Sequence, residues 1–222
     1  INGLESKPGR AVAADVGFFY TNDMMGIKNM PGTFNWGLNI SNLGNKMSYT
    51  NNENLDFIPA NFRTGVYYGL QLDQYNELAA TIDFNKLLVP TPPTYEDGEV
   101  VAGSDPADVS VPAAIFNSWA DAPGTNFGGS VFKEELAEIQ YSLGLEYWYD
   151  KKFALRAGYF HEHQQKGNRK FFSIGAGLKL NVFGLDFGYL IPTQNFGTHP
   201  LTNVLRVTIN WDLGAMNAEE DI

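Results

Sequence analysis

The chain has 222 residues, 44% of them hydrophobic and 14% aromatic, with 16 Phe and 11 Tyr, and a formal net charge of −10. A mean hydropathy of −0.23, and no run near the roughly 18 unbroken apolar residues of a membrane helix, exclude a helical membrane protein. The acidic balance argues against nucleic acid or an anionic surface as partner, and the lack of cysteine removes thiol chemistry.

Alternation with a period of two, the mark of strands with two unlike faces, recurs along most of the chain. The first candidate strand, Val12 to Tyr20, sets Val12, Val16 and Phe18 against Asp15 and Gly17. The second sets Phe34, Trp36, Leu38 and Ile40 against Asn35, Gly37, Asn39 and Ser41. In the third, Phe62, Val66, Tyr68, Leu70 and Leu72 oppose Arg63, Gly65, Tyr67, Gly69 and Gln71; in the fourth, Leu78, Ala80, Ile82 and Phe84 oppose Glu77, Thr81, Asp83 and Asn85. After a long gap the pattern resumes from Ile139 to Tyr147, Phe153 to Tyr159, Phe172 to Leu180, Phe183 to Tyr189 and Leu205 to Trp211. That makes nine strands. A single bacterial barrel chain has an even number, so further strands are expected before Ile1.

In each strand the second face carries polar groups, glycine or a charge. Asp15, Arg63, Asp83, Glu146, Arg156, Lys179, Asp186 and Arg206 are expected on this one face. Two architectures place such a face. A soluble sandwich turns it to water. A closed transmembrane antiparallel β-barrel turns it to the lumen, where glycine makes room and opposite charges pair. Glycine-rich strands with charges of both signs suit the barrel interior better.

The connections sharpen the choice. Asp73–Asn76, Asp150–Lys152 and Asn181–Gly184 are tight, whereas residues 43–61, 86–135, 161–170 and 191–203 are long. Tight and long links alternate, as in outer-membrane barrels with short periplasmic turns and long external loops. The link Thr21 to Thr33 is the exception, on the short side but not tight. Tyr147, Trp148, Tyr149, Phe153, Tyr75 and Trp211 gather near the turns, as in an interfacial girdle.

Little in the sequence points to a catalytic or metal centre. Gly175-Ala176-Gly177 lies inside a strand with no helix after it, so inward glycines explain it better than a nucleotide loop. His161-Glu162-His163, with only His199 beyond it, falls at a loop edge and makes a poor metal pair. No serine sits in a nucleophile-elbow context. The expectation is a protein that is not an enzyme and holds no cofactor and no metal.

Several ordered segments carry a family likeness. They are Glu5 to Ala11, Leu38 to Gly44, Asp83 to Pro93, Trp119 to Gly124, Lys133 to Leu136, Tyr147 to Tyr149, Ala154 to Glu162, Gly167 to Lys170, Val182 to Asp186, Tyr189 to Thr193 and Asn203 to Arg206. In order and spacing the chain resembles the PorV family of type IX secretion outer-membrane proteins, with Asp83 to Pro93 the most specific piece. The resemblance implies a FadL-like barrel of about fourteen strands, of which residues 1–213 would supply the C-terminal nine. It implies placement in the bacterial outer membrane, in contact with membrane lipid, beside a very large translocon barrel (SprA or Sov). It also implies transfer of cargo with a C-terminal secretion domain to a PorU-like surface sortase. The acidic tail, residues 214–222, departs from the aromatic strand ending common in such barrels.

The external segment Thr91 to Glu135 shows no clear regular structure in sequence, and long loops of that kind are usually functional or disordered. It turns from acidic residues (Glu96, Asp97, Glu99, Asp105, Asp108) to apolar ones. Exposed apolar groups are costly without a partner, so Ile115, Phe116 and Trp119 are expected to dock on the translocon or cargo. The alternative is that they fold down over the barrel mouth as a plug. The rival function is a FadL-like channel for hydrophobic small molecules.

Overall fold

The computed structural model describes residues 8–48, 55–193 and 204–211. The tail Gly214–Ile222, His199, Asn203 and the Glu5–Lys7 part of the first family segment lie outside the described residues.

Nine strands form one sheet: β1 (Ala13–Asn22), β2 (Gly32–Gly44), β3 (Asn61–Gln71), β4 (Asn76–Leu87), β7 (Gln140–Tyr149), β8 (Phe153–His161), β9 (Lys170–Leu180), β10 (Phe183–Pro192) and β11 (Leu205–Trp211). Their spatial order is their chain order, with β1 and β11 at the two ends, so the described strands do not close on themselves. The pairings of β7 with β8, β8 with β9, β9 with β10 and β10 with β11 are antiparallel. These are the nine strands that alternation marks out in the sequence.

Residue contacts divide the chain into two compact units, residues 1–18, 37–64 and 84–140 in one, and residues 19–36, 65–83 and 141–222 in the other. Strands β1 to β4 run through both. The first unit holds the long segment between β4 and β7, and here the structure departs from the sequence reading. The segment is folded: a hairpin of β5 (Thr94–Glu96) and β6 (Glu99–Ala102), then α1 (Val111–Asn117) and α2 (Val131–Glu138). The hairpin turns on Asp97 and Gly98, both at positive φ (51° and 88°), the Asp-Gly pairing that favours such turns. Ser110 and Ser130 cap the two helices, their hydroxyls accepting from Ala113 N and Lys133 N, and a proline opens α1. Elements this short leave no periodic signature, which is why alternation alone missed them.

The second unit holds the tight turns. Asp150 and Lys151 both take left-handed φ, 51° and 52°, and Lys152 N donates to Tyr149 O at 3.0 Å, which matches the twist of the flanking strands. Asp73 closes the β3–β4 turn by accepting from Tyr75 N (2.8 Å) and Asn76 N (2.9 Å). Those bonds hold the Asp73 carboxyl below its ordinary pKa. The link between β1 and β2 is longer yet ordered. Ile27 and Met30 bridge each other, and Tyr68 Oη donates to Met25 O at 2.7 Å.

The sheet has two unlike faces and no large apolar core. Among the described residues the buried apolar side chains are Leu88 and the alanines 60, 79, 114, 122, 137 and 154. The large apolar strand residues are instead exposed: Leu145 (57%), Leu155 (62%), Ile174 (53%), Val207 (50%). They are cross-strand neighbours, row upon row, as in Leu155↔Ala176↔Phe187↔Val207. Water does not favour so large an apolar face, whereas a hydrocarbon phase does.

Candidate functional site

On the opposite face of β7 to β11 the predicted charges come together in the second unit. Glu146 stands directly across from Arg156, and Arg156 across from Gly175. The Arg156 guanidinium bonds Glu146 through Nε and reaches past β9 to Asp186 Oδ1 on β10 at 2.6 Å. Asp186 Oδ2 also accepts from Asn210 Nδ2 on β11 at 3.3 Å. Gly177 makes the crossing possible. A Cβ there would sit 2.6 Å from Asp186 Oδ1 and 2.9 Å from Arg156 Nη1. Trp148 lies on this face under Arg156, 5.3 Å from ring to guanidinium, so it does not join the exposed aromatics Tyr75, Tyr149, Phe153 and Trp211 at the strand ends. A hollow of about 460 Å³ opens here, bordered by Arg156, Ser173, Asp186, Arg206 and Thr208.

The other predicted charges stay separate. Asp15 accepts from Asn42 N at 2.7 Å, and Asp83 covers Gly65, where a Cβ would strike its carboxylate. Arg63, Lys179 and Arg206 are exposed and form no ion pair among the described residues. His161 stacks on Tyr141, ring centroids 4.7 Å apart, and Glu162 is held by Arg169 Nη2 at 2.7 Å. Neither residue belongs to a metal-binding group among the described residues.

The first unit holds a cluster that the sequence reading did not assemble. Lys86, at the end of β4 and 2% exposed, bonds Glu135 Oε2 at 2.8 Å and Glu138 Oε2 at 2.6 Å. Glu138 Oε1 accepts from Thr91 Oγ1 at 2.8 Å, and Thr91 also bonds Asp121. Glu135 Oε1 and Glu134 Oε2 accept backbone N–H groups of Ala122 (2.9 Å) and Gly124 (2.7 Å). Burial pushes the Asp121 carboxyl above its ordinary pKa, with the Thr91 bonds opposing and the Glu135 and Glu138 charges adding. Removing one partner of such a buried pair costs about 3–5 kcal/mol, since the other charge is left uncompensated. The signal was local and available: Lys86 and the run Glu134-Glu135 both lie in family-like segments. Their meeting depends on a separation of about fifty positions.

The three predicted docking residues separate. Trp119 packs edge-on against Phe62 of β3, ring centroids 5.4 Å apart, with Lys86 above its ring at 5.7 Å. Ile115 is half-buried, and Phe116 is 79% exposed. Helix α2, by contrast, buries Glu134, Glu135 and Ala137 and exposes Phe132 (71%), Leu136 (52%) and Val131 (39%). Leaving one such side chain in water forgoes about 1.5–3 kcal/mol.

Residues 2–94, which span β1 to β4, match the family model of type IX secretion system protein PorV. Over that segment the chain is similar to the PorV family. No curated protein matches the chain. The PorV match supports a type IX secretion system protein, and the chain's strand-rich fold, with no helix among the described residues long and apolar enough to cross a membrane, is compatible with a β-barrel.

Proposed function

We propose that this PorV-like chain is a non-enzymatic outer-membrane subunit of type IX secretion. It would sit beside the large translocon barrel and pass cargo bearing a C-terminal secretion domain to the surface sortase. The observation that carries the reading is the two-faced sheet: its large apolar residues are outward and uncovered, while its opposite face carries glycine and paired charges. That is the residue distribution of a lipid-embedded strand set, joined to a folded insert that presents apolar side chains. Removing the chain from its host should leave cargo in the periplasm. Mild-detergent purification should bring a very large barrel with it. Normal cargo export without the chain would end this reading.

The hollow of about 460 Å³ on the polar face favours a second reading, a channel for hydrophobic small molecules. Fatty-acid uptake that depends on the chain, with export unaffected, would select it.

A further inference from the structure

Large apolar side chains do not cover the outward face of β4, β7, β8 and β9 evenly. Ala80 and Ala157, both exposed, interrupt it. A groove of about 380 Å³ opens over them, bordered by Leu143, Leu145, Tyr159 and Phe172. Leu145 stands opposite Ala157 and Leu143 opposite Tyr159, with Phe172 beyond Tyr159. The next row toward the β8–β9 loop is polar: Tyr141, His161 and Lys170. His161 is fixed in that row. It stacks on Tyr141, ring centroids 4.7 Å apart, and its Nδ1 lies 3.2 Å from Tyr159 Oη. With Oη donating, the neutral ring carries its proton on Nε2 and offers it as a donor. Lys170 forms no ion pair among the described residues. An apolar groove therefore ends at two nitrogen donors, all within the second unit.

We propose that this groove and its polar end bind an anionic lipid with a phosphate headgroup, one acyl chain lying in the groove and the phosphate bonding Lys170 Nζ and His161 Nε2. The inference rests on the lipid-embedded reading of the strands. Depth supports it. His161 and Ala157 lie four positions apart, about 13 Å at the strand rise. One leaflet contributes about 15 Å to the hydrocarbon core, half of its full thickness. The polar row also stands at the end of β8 that leads into the long β8–β9 link, the kind that faces outward in such barrels, while the tight turn Asp150–Lys152 closes the other end. A lysine alone at a strand end needs no ligand. Here the groove beneath it and the fixed imidazole beside it match the two parts of a lipid, a slim apolar chain and an anion that takes charge-assisted bonds. The net charge of −10 disfavours an anionic surface as a whole, but distant charges act over only about 8 Å at physiological salt. The carboxylate nearest in sequence, Glu162, is buried and held by Arg169, so Lys170 sets the local sign.

The test moves the protein from its native outer membrane into phosphatidylcholine vesicles. These carry a trace of phosphatidylglycerol with a photoactivatable diazirine midway along one acyl chain. The control probe is the same chain on phosphatidylcholine. The anionic probe should label residues 141–145 and 157–159 about fivefold more than residues 185–189 and 205–211 of β10 and β11, the preference that about 1 kcal/mol from one lysine provides. The zwitterionic probe should label both regions alike. Lys170→Gln with His161→Gln should abolish the preference, and Lys170→Arg should keep it. Ala157→Leu fills the groove and leaves both donors in place, so it should lower labelling of residues 141–145 to the level of β10 and β11. Equal labelling by the two probes, a preference that survives the double variant, or labelling unchanged by Ala157→Leu would each overturn the inference while leaving the strands in lipid. No labelling of either region by either probe would overturn the lipid-embedded reading as well, which tells the two failures apart.

Discussion

Two ion networks in this molecule use the same chemistry in different surroundings. Arg156, with Glu146 and Asp186, is about a third exposed (34%, 30% and 35%). Lys86, with Glu135 and Glu138, is nearly sealed (2%, 9% and 15%). Solvent screens the first, so its pairs hold little of the fold together and chiefly set which charges share a face. The second is screened far less, and each partner there depends on the other to offset its desolvation. Burial rather than the number of bonds decides which network holds a structure in place.

Substitution can break that contrast most sharply at Lys86. Lys86→Met should cost about 3–5 kcal/mol in the first unit, seen as protease cleavage and faster hydrogen exchange in residues 88–139. The same change at Arg156 should cost about 1 kcal/mol or less. Equal losses at the two sites would contradict the comparison.

A smaller loss is expected where glycine lets Arg156 cross β9. Gly177→Val places methyl groups where Asp186 Oδ1, Arg156 Nη1 and the Ala154 Cβ already stand, 2.6, 2.9 and 3.2 Å from a built Cβ. Overpacking of this kind costs about 1–3 kcal/mol, readable as a lower urea midpoint in detergent. An unchanged midpoint would mean that the crossing tolerates bulk.

The smallest effect concerns pH. The Asp121 carboxyl is raised above its ordinary 3.8 by burial, so the folded insert binds that proton more tightly than the unfolded one. The resulting stabilisation is fully present below the unfolded value and is lost as pH rises through the raised folded value. Asp121→Asn should therefore flatten the fall in insert protection as pH rises from about 4 through that window. A fall as steep as in the parent chain would show that another group controls it.

The sequence by itself determined the strands, their order and their two faces, because a period of two is written locally in each strand. It grouped Glu146, Arg156 and Asp186 on one face, and the Asp-Gly turn and Ser caps of the insert were legible too, though alternation passed over them. Only the tertiary structure decided that Lys86 meets Glu135 and Glu138 about fifty positions away, and that Trp119 seats on Phe62. The same cluster fixed which stripe of α2 turns outward. A helix of eight residues does not settle its own orientation. The carboxylates it must satisfy set the rotation, and the partners that satisfy them come from distant parts of the chain.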